Sequence, residues 1–198
     1  MKSKISTFRW QAILLMVAVA AITRLITPAI FNGAANFSPY DAIALYCGAY
    51  LSNRLAAFFV PVLAIFFSDV LVNHFYFNGW TLFYDGWYWQ YASYALIAGL
   101  AQLTLSKKIN VLRVGSASML ASLIFFMLSN AGVWIGGHLY PYTVDGFINC
   151  YIQALPFFKN TFLGDLFYTG FSFTAIELIL KSHTSLTKSV DLMAQRQA

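Results

Sequence analysis

The chain has 198 residues, of which 60% are apolar and 10% are charged, and its net charge is +5. Soluble domains are typically about 45–50% apolar and about 25% charged. This composition excludes an ordinary soluble fold, because its surface would carry too few polar groups to cover the apolar ones. The basic residues are scattered singly or in pairs, whereas nucleic-acid binding requires a clustered basic face. We therefore expect no nucleic-acid partner and predict one all-α domain embedded in the lipid bilayer.

Six segments predict a bundle of six transmembrane helices, since a span needs about 20 mostly apolar residues. The predicted helices cover residues 8–26, 41–51, 54–73, 88–105, 112–135 and 157–180, and a tail follows at 181–198. The second segment is short, but Pro39 and Asp41 are signals of a helix start, so the segment could lengthen into a tilted or re-entrant helix. The apolar stretch behind Lys2 and Lys4 also resembles a signal peptide. Its continuation to residue 26 favours an uncleaved first helix.

The distribution of charge supports six spans with both termini in the cytoplasm. Short cytoplasmic loops are enriched in Lys and Arg. With six spans, all Lys and Arg residues except Arg24 and Lys159 fall in cytoplasmic segments. Omitting the second span would place Arg54 outside and invert every later segment. We therefore predict a multi-pass protein of the bacterial cytoplasmic (inner) membrane, with outer segments near 27–40, 74–87 and 136–155.

Two features indicate how the helices meet and end. Small residues four positions apart allow close helix contact in lipid, and such pairs are Ala44 with Gly48, Ser118 with Ser122, and Gly132 with Gly136. Residues 75–91 are rich in aromatic rings. This segment is either an aromatic belt at the membrane interface or a lid over an outward-facing pocket, with Gly79 and Gly86 as flexible points.

Polar residues within the predicted spans are the candidates for a solute-binding site. Ionisable groups in hydrocarbon are costly and usually face a partner, a cavity or a pathway. At about 1.5 Å per residue, several such groups fall in the outer half of the membrane or at its outer boundary. The predicted site residues are Arg24, Asn36, Asp41, Asp69, Asn73, Lys159, Asn160 and Asp165.

The same residues also allow an interpretation without a ligand, in which ion pairs between helices hold the bundle together. The predicted pairs are Arg24 with Asp69, and Lys159 with either Asp41 or Asp165. Near the cytoplasmic side, Glu177 is one turn from Lys181, a spacing that allows an ion pair.

The sequence predicts no catalytic residue, cofactor or metal site. Cys47 and Cys150 are too few for a disulfide framework or a structural zinc site. Cys47 is interpreted as a small buried apolar residue, with a ligand to a corrinoid cobalt as the alternative. No second ligand stands at helical spacing from His74 or His138. A nucleophile elbow, a His-Glu-x-x-His motif and a phosphate-binding glycine loop are also absent from the sequence.

Several sequence blocks follow one another in a distinctive order over most of the chain. They are Asn36-Phe37-Ser38-Pro39 with Gly48-Ala49-Tyr50, Pro61 with Ser68-Asp69, Asn130-x-Gly132-x-Trp134, Gly146 with Cys150-Tyr151, and Pro156-Phe157-Phe158-x-Asn160-Thr161 with Gly164-Asp165. In order and spacing they resemble a bacterial family of small six-helix membrane proteins of unassigned function. That family in turn resembles the substrate-binding S components of energy-coupling-factor transporters, which bind vitamins or metal ions near the outer face.

The resemblance to S components implies a substrate pocket to which Asp69, Asn160, Asp165 and Arg24 contribute. It also implies an energising ATPase and transmembrane module as a partner, because the chain has no nucleotide-binding motif of its own. The first helix departs from the pattern, since it lacks the Ala-x-x-x-Ala motif of S components that share such a module. This departure favours a solitary protein, as known for some cobalamin carriers, and would give Cys47 a role with cobalamin as a substrate.

Three functional hypotheses follow. The leading one is a membrane transport protein of S-component type that captures a small, vitamin-like solute from the outer face. The second is an intramembrane enzyme that uses Asp69 and Asp165 as acid–base groups, which requires the two carboxyl groups to lie close together. The third is a structural or assembly subunit, which requires no cavity large enough for a ligand.

Overall fold

The computed structural model describes the backbone of residues 2–30 and 36–197 and the side chains of residues 7–26, 36–179 and 182. Over this part of the chain it contains six α-helices and no strand. The helices are α1 (Lys2–Ile30), α2 (Tyr40–Tyr50), α3 (Arg54–Phe77), α4 (Trp87–Thr104), α5 (Val111–Gly136) and α6 (Val144–Gln197). The predicted all-α class is confirmed, and α3, α4 and α5 lie close to their predicted positions.

Four of the helices are long and apolar enough to cross a membrane, which indicates a membrane protein. The qualifying segments are Thr7–Ile26, Arg54–Phe77, Val111–Gly136 and Val144–Ile179. The short helix α2 differs, because its 11 residues reach only about 16 Å, whereas the hydrocarbon core is about 30 Å thick. The sequence allowed this second helix to be longer than predicted. Among the described residues it is not longer at its start, since residues 36–39 before α2 are not helical.

The short helix α2 occupies the centre of the bundle. Residues 40–48 are all buried, and α2 packs against each of the other five helices. The remaining helices surround it through successive contacts of α1 with α3, α3 with α4, α4 with α5, and α5 with α6. In the described part of the chain, α1 and α6 have no comparable interface with each other. The two therefore flank a seam in the ring.

Glycines allow the closest helix approaches, as the spacing of small residues predicted. A Cβ atom on Gly48 of α2 would lie 2.3 Å from the carbonyl oxygen of Ala98 and 2.7 Å from Cβ of Ala101, both on α4. On α5, a Cβ atom at Gly132 would lie 2.4 Å from the ring of Trp89. Neither contact leaves room for a side chain, so both positions need glycine.

The bundle has two chemically distinct ends. At the end that we call the basic end, Arg9, Lys107, Lys108 and Glu177 border one cavity. Arg54 lies at the same end, since its carbonyl oxygen accepts a hydrogen bond from Gln102 near the end of α4 at 3.4 Å. The opposite end, which we call the aromatic end, contains the loops 78–86 and 137–143.

The sequence placed the start of the last helix too late. It predicted a helix from 157, whereas α6 begins at Val144. Residues 144–155, which were predicted to belong to an outer segment, are therefore helical. Thr143 provides the helix start, because its hydroxyl oxygen accepts from the backbone N–H of Gly146 at 3.1 Å, as N-cap residues do. Pro156 lies inside the helix, and membrane helices tolerate proline.

The predicted tail at 181–198 continues α6 as helical backbone to Gln197. The side chains of Lys181, Lys188 and Arg196 lie outside the described residues, as do those of Lys2 and Lys4. The predicted pairing of Glu177 with Lys181 therefore stays a prediction. Glu177 instead has a described partner in Tyr50, whose hydroxyl donates to its carboxylate at 2.5 Å.

Candidate polar site in the bundle centre

All six helices contribute polar side chains to one layer near the middle of the bundle. We call this set the polar layer; it consists of Arg24, Tyr40, Asp41, Ser68, Asp69, Tyr91, Tyr94, Ser122 and Asp165. The position of Ser122 shows the height of this layer along the bundle. At 1.5 Å per residue, Ser122 lies about 16 Å from the start of α5 and about 21 Å from its end. The layer contains two acidic clusters.

The first acidic cluster is the ion pair of Arg24 and Asp69, which the sequence predicted. The Arg24 guanidinium contacts the Asp69 carboxylate, and the side chains are 27% and 1% exposed. The hydroxyl of Tyr91 donates a second hydrogen bond to Asp69 at 2.8 Å. One positive and one negative charge therefore neutralise each other, with an added donor for the buried carboxylate.

The second acidic cluster brings together Asp41 of α2 and Asp165 of α6. The two carboxyl groups lie close enough to interact with each other, and the hydroxyl of Ser122 donates to Asp165 at 2.5 Å. Both residues are buried, with exposures of 3% and 2%. Two buried carboxylates at such close range repel each other, so a shared proton or a cation is needed to stabilise the pair.

The predicted pairing of Lys159 with Asp41 or Asp165 is wrong. Lys159 is exposed, and among the described residues it forms no ion pair with either carboxylate. The reason is helical geometry, because Lys159 and Asp165 both belong to α6 and lie about 120° apart around its axis at 3.6 residues per turn. Within the described residues, the acidic pair therefore has no basic partner.

The depth of the acidic pair in the membrane stays a prediction, in which Asp41 lies at the outer boundary and Asp165 in the outer half. Within the bundle, both residues lie at the level of Ser122. The structure differs from the prediction in the start of α6, which lies before 157, and in α2, which begins in the bundle interior. The segment 36–39 reaches that interior along α6, where Phe37 packs on Gly164.

Several buried polar atoms in the layer have no satisfactory partner. Asp41 Oδ1 accepts a hydrogen bond from no N–H or hydroxyl group of the described chain, although the Asp41 carboxyl group interacts with that of Asp165. The hydroxyls of Tyr40 and Ser68 lie near each other without a well-formed hydrogen bond. Pro39 at the start of α2 provides no side-chain cap. This face of the layer is polar but incompletely satisfied.

The rings of Tyr40 and Tyr94 lie between the two acidic clusters. Their centroids are 5.9 Å apart, and the Arg24 guanidinium is also 5.9 Å from the ring of Tyr40. Tyr94 lies within electrostatic range of Asp41, Arg24 and Asp69. The two clusters are therefore neighbours in the same layer.

Asn36 and Asn73, two further predicted site residues, lie outside these clusters. Asn36 is exposed, with a left-handed φ of 68°, and Asn73 donates to the backbone oxygen of Thr81 at 2.9 Å. Asn160 is half-buried on α6. Cys47 is fully buried in the apolar core. In the described part of the chain, no three metal-ligating side chains cluster together.

The aromatic segment 75–91 is largely exposed at the aromatic end. Trp80 stacks on His74 with ring centroids 4.0 Å apart, and its other face is open to the surroundings. Exposed tryptophans of this kind are typical of a membrane interface. Trp89, by contrast, packs on Gly132 and borders a cavity of about 290 Å³, so the lid interpretation stays a prediction.

Sequence reasoning missed Tyr91 and Ser122, which complete the two clusters. Ser122 was given only a packing role in the small-residue pair with Ser118. Its position in an apolar helix at the depth of an acidic residue was the available signal. Tyr91 was hidden among the many aromatic residues of its segment, where nothing in the sequence distinguished it as the partner of Asp69.

The chain belongs to a family of unknown function, DUF6580, whose model matches residues 4–188. No curated protein and no solved structure matches the chain. The comparisons therefore show the family but no resemblance to the S components of energy-coupling-factor transporters.

Proposed function

We propose that the protein is a multi-pass membrane transport protein that binds a small solute in the polar layer, at Asp41 and Asp165. The observation that carries the proposal is the contrast between the two acidic clusters. Asp69 has its own cation, Arg24, as expected of a purely structural ion pair. Asp41 and Asp165 have none among the described residues, although ionisable groups within a membrane usually pair or serve a pathway.

The chemistry of the pair favours a solute that carries a positively charged group. Once the shared proton leaves, two buried carboxylates face each other, and a cation would neutralise them in its place. The same solute would satisfy the buried polar atoms of Asp41, Tyr40 and Ser68. A buried polar atom without a partner costs about 1–3 kcal/mol, so satisfying several of them contributes to binding.

The position of α2 fits a transport function. Substrate sites of many transporters lie near the bilayer midplane at the ends of discontinuous helices, and α2 is a short helix that starts within the bundle. Access requires movement, because Asp41 and Asp165 are almost fully buried. The seam between α1 and α6 is the natural place for opening, since the described residues of these two helices lack the packing that joins the other neighbours.

The proposal includes an orientation and a class of transporter. The basic end faces the cytoplasm of a bacterial inner membrane, in accordance with the positive-inside rule. The protein acts as a solute-binding component of S-component type for a small, vitamin-like solute. ATP-driven uptake would then depend on a separate energising module, because the chain carries no nucleotide-binding motif.

Solute binding to the purified protein tests this function. We expect native mass spectrometry of mildly solubilised protein to reveal a co-purified small molecule, and a cationic member of a solute panel to raise the melting temperature. Asp165→Asn keeps the shape of the side chain and its contact with Ser122, and should weaken binding at least tenfold while the protein remains folded.

Asp85→Asn provides the matched control, because Asp85 is exposed and pairs with His138 at the aromatic end at 3.1 Å. This variant should bind the solute like the wild type. The proposal fails if no solute stabilises the wild type, or if Asp165→Asn and Asp85→Asn bind equally well. In that case the structural-subunit hypothesis, with buried groups that only join helices, is the better explanation.

The enzyme hypothesis now involves a different pair of carboxyl groups. It required Asp69 and Asp165 to be close partners, but Asp69 pairs with Arg24 and Asp165 pairs with Asp41. Two carboxyl groups that share a proton are also suited to acid–base catalysis, so Asp41 and Asp165 would be its catalytic pair. Conversion of the bound molecule during incubation, detected by mass spectrometry, would favour this second candidate over transport.

A further inference from the structure

The cavity at the basic end is separate from the polar layer and has a different charge. It has a volume of about 720 Å³ and lies between the end of α2, the start of α5, residues 166–178 within α6 and the loop between α4 and α5. This volume is within the range of about 300–1,000 Å³ that is usual for ligand sites. We propose that it binds an anionic phospholipid from the membrane leaflet at the basic end, independently of the solute proposed above.

The charges around the cavity favour an anionic headgroup. Three basic side chains border it, those of Arg9, Lys107 and Lys108. The single acidic residue of the lining, Glu177, is engaged by Tyr50 at 2.5 Å. The described lining therefore has an excess of positive charge. Basic pockets between transmembrane helices are the usual binding places of phosphate-bearing lipid headgroups.

Arg9 forms no ion pair within the described part of the chain. Its guanidinium lies over the ring of Tyr50, with 4.4 Å from the guanidinium carbon to the ring centroid. Its buried Nε atom has no hydrogen-bond partner in the described chain. The start of α5, capped by Asn110, also borders the cavity, and the N-terminus of a helix attracts anions.

The walls of the cavity favour a lipid over free phosphate. Apolar side chains supply much of the lining, and Val111, Leu166 and Leu178 among them are exposed on the outside of the bundle. The cavity is thus bordered by surface that faces hydrocarbon when the helices cross a membrane. An amphiphile would place its headgroup against the basic residues and an acyl chain along these apolar residues.

Two glycines show that the cavity can be filled without disturbing the fold. Gly115 on α5 and Gly170 on α6 both line it, and a Cβ atom added at either position meets no atom within 4 Å. The leucine side chain of Gly170→Leu should therefore fill the space in which we place the acyl chain. It does so without removing any charge, which separates the contributions of volume and charge.

The test is native mass spectrometry of the delipidated full-length protein in detergent. Phosphatidylglycerol and phosphatidylcholine with identical acyl chains are added separately, and inorganic phosphate is added as a competitor. We expect phosphatidylglycerol to bind about tenfold more tightly than phosphatidylcholine. The double variant Lys107→Gln/Lys108→Gln should abolish that preference, and Gly170→Leu should weaken phosphatidylglycerol binding by a similar factor.

Arg54→Gln is the matched control, because Arg54 is an exposed basic residue at the same end that does not line the cavity. It should retain the preference for the anionic lipid. Equal binding of the two lipids overturns the proposal, as does an equal loss in Arg54→Gln and in the double lysine variant. Displacement of the lipid by inorganic phosphate would assign the site to free phosphate instead. Gly170→Leu decides the outcome if the lysine variant does not fold.

Discussion

The Arg24–Asp69 ion pair allows a quantitative test of the difference between the two acidic clusters. Arg24→Gln leaves the carboxylate of Asp69, 1% exposed, with the hydroxyl of Tyr91 as its remaining donor. Removing one partner of a buried ion pair costs about 3–5 kcal/mol of unfolding free energy. We expect a loss in this range for Arg24→Gln, because the stranded carboxylate has no path to water.

The reciprocal variant Asp69→Asn should cost less. Its amide can still accept a hydrogen bond from Tyr91, and the guanidinium of Arg24, which is 27% exposed, can turn towards polar surroundings. We expect a loss of about 1–3 kcal/mol, the range for a buried hydrogen-bonding group left without its partner. The double variant should be no less stable than Arg24→Gln alone, since its two amides can bond to each other.

The measurement is a double-mutant cycle in detergent micelles, with unfolding followed by circular dichroism during titration with a denaturing detergent. The expected coupling energy is about 1–3 kcal/mol, typical of residues in direct contact. The matched cycle at the exposed pair of Asp85 and His138 should give a coupling near zero, since exposed pairs contribute little. Equal losses in Arg24→Gln and Asp69→Asn that add up in the double variant would refute the reasoning.

Two further variants test the packing and the basic end by the same unfolding assay. Gly48→Leu should destabilise by at least about 1–3 kcal/mol, because its Cβ atom would lie 2.3 Å from the Ala98 carbonyl oxygen; Gly115→Leu, with open space, should leave stability nearly unchanged. Tyr50→Phe should cost about 1.5–3 kcal/mol, the range for a hydrogen bond to a charged group, because it removes the donor to Glu177. A smaller loss in Glu177→Gln is expected, since a neutral hydrogen bond remains.

The sequence predicted the first acidic cluster because its residues lie in helices whose starts are well defined. Arg24 lies about four turns beyond Arg9 on α1, and Asp69 about four turns beyond Arg54 on α3. Both basic residues lie at the same end of the bundle, so equal distances along neighbouring helices place the two side chains at the same depth. Counting residues along an apolar helix is reliable when the boundary is known.

The second cluster could not be predicted in this way, because the start of α6 was misplaced and α2 begins inside the bundle. The predicted last helix began at 157, whereas α6 begins at Val144 and contains Pro156. The position of Asp165 was therefore counted from a start that differs from the observed one. The prediction also sought a cation for one of the two carboxylates, since it paired Lys159 with either Asp41 or Asp165, and two carboxyl groups that interact with each other have no charge pattern that a sequence displays.

The shortness of α2 explains why an acidic pair can exist at this depth. A helix that crossed the whole membrane would carry its first turn, and with it Asp41, to a boundary where water and basic side chains are available. Because α2 begins inside the bundle, its first turn meets α6 at Asp165, and the partial positive charge of its N-terminus offsets part of the acidic charge there. An ion pair or an apolar contact would join the two helices equally well. Two buried carboxyl groups in the same place make the protein less stable than either alternative. Such a cost is understandable if the pair exchanges its proton for a positively charged group, which is the property that a solute-binding site in this layer needs.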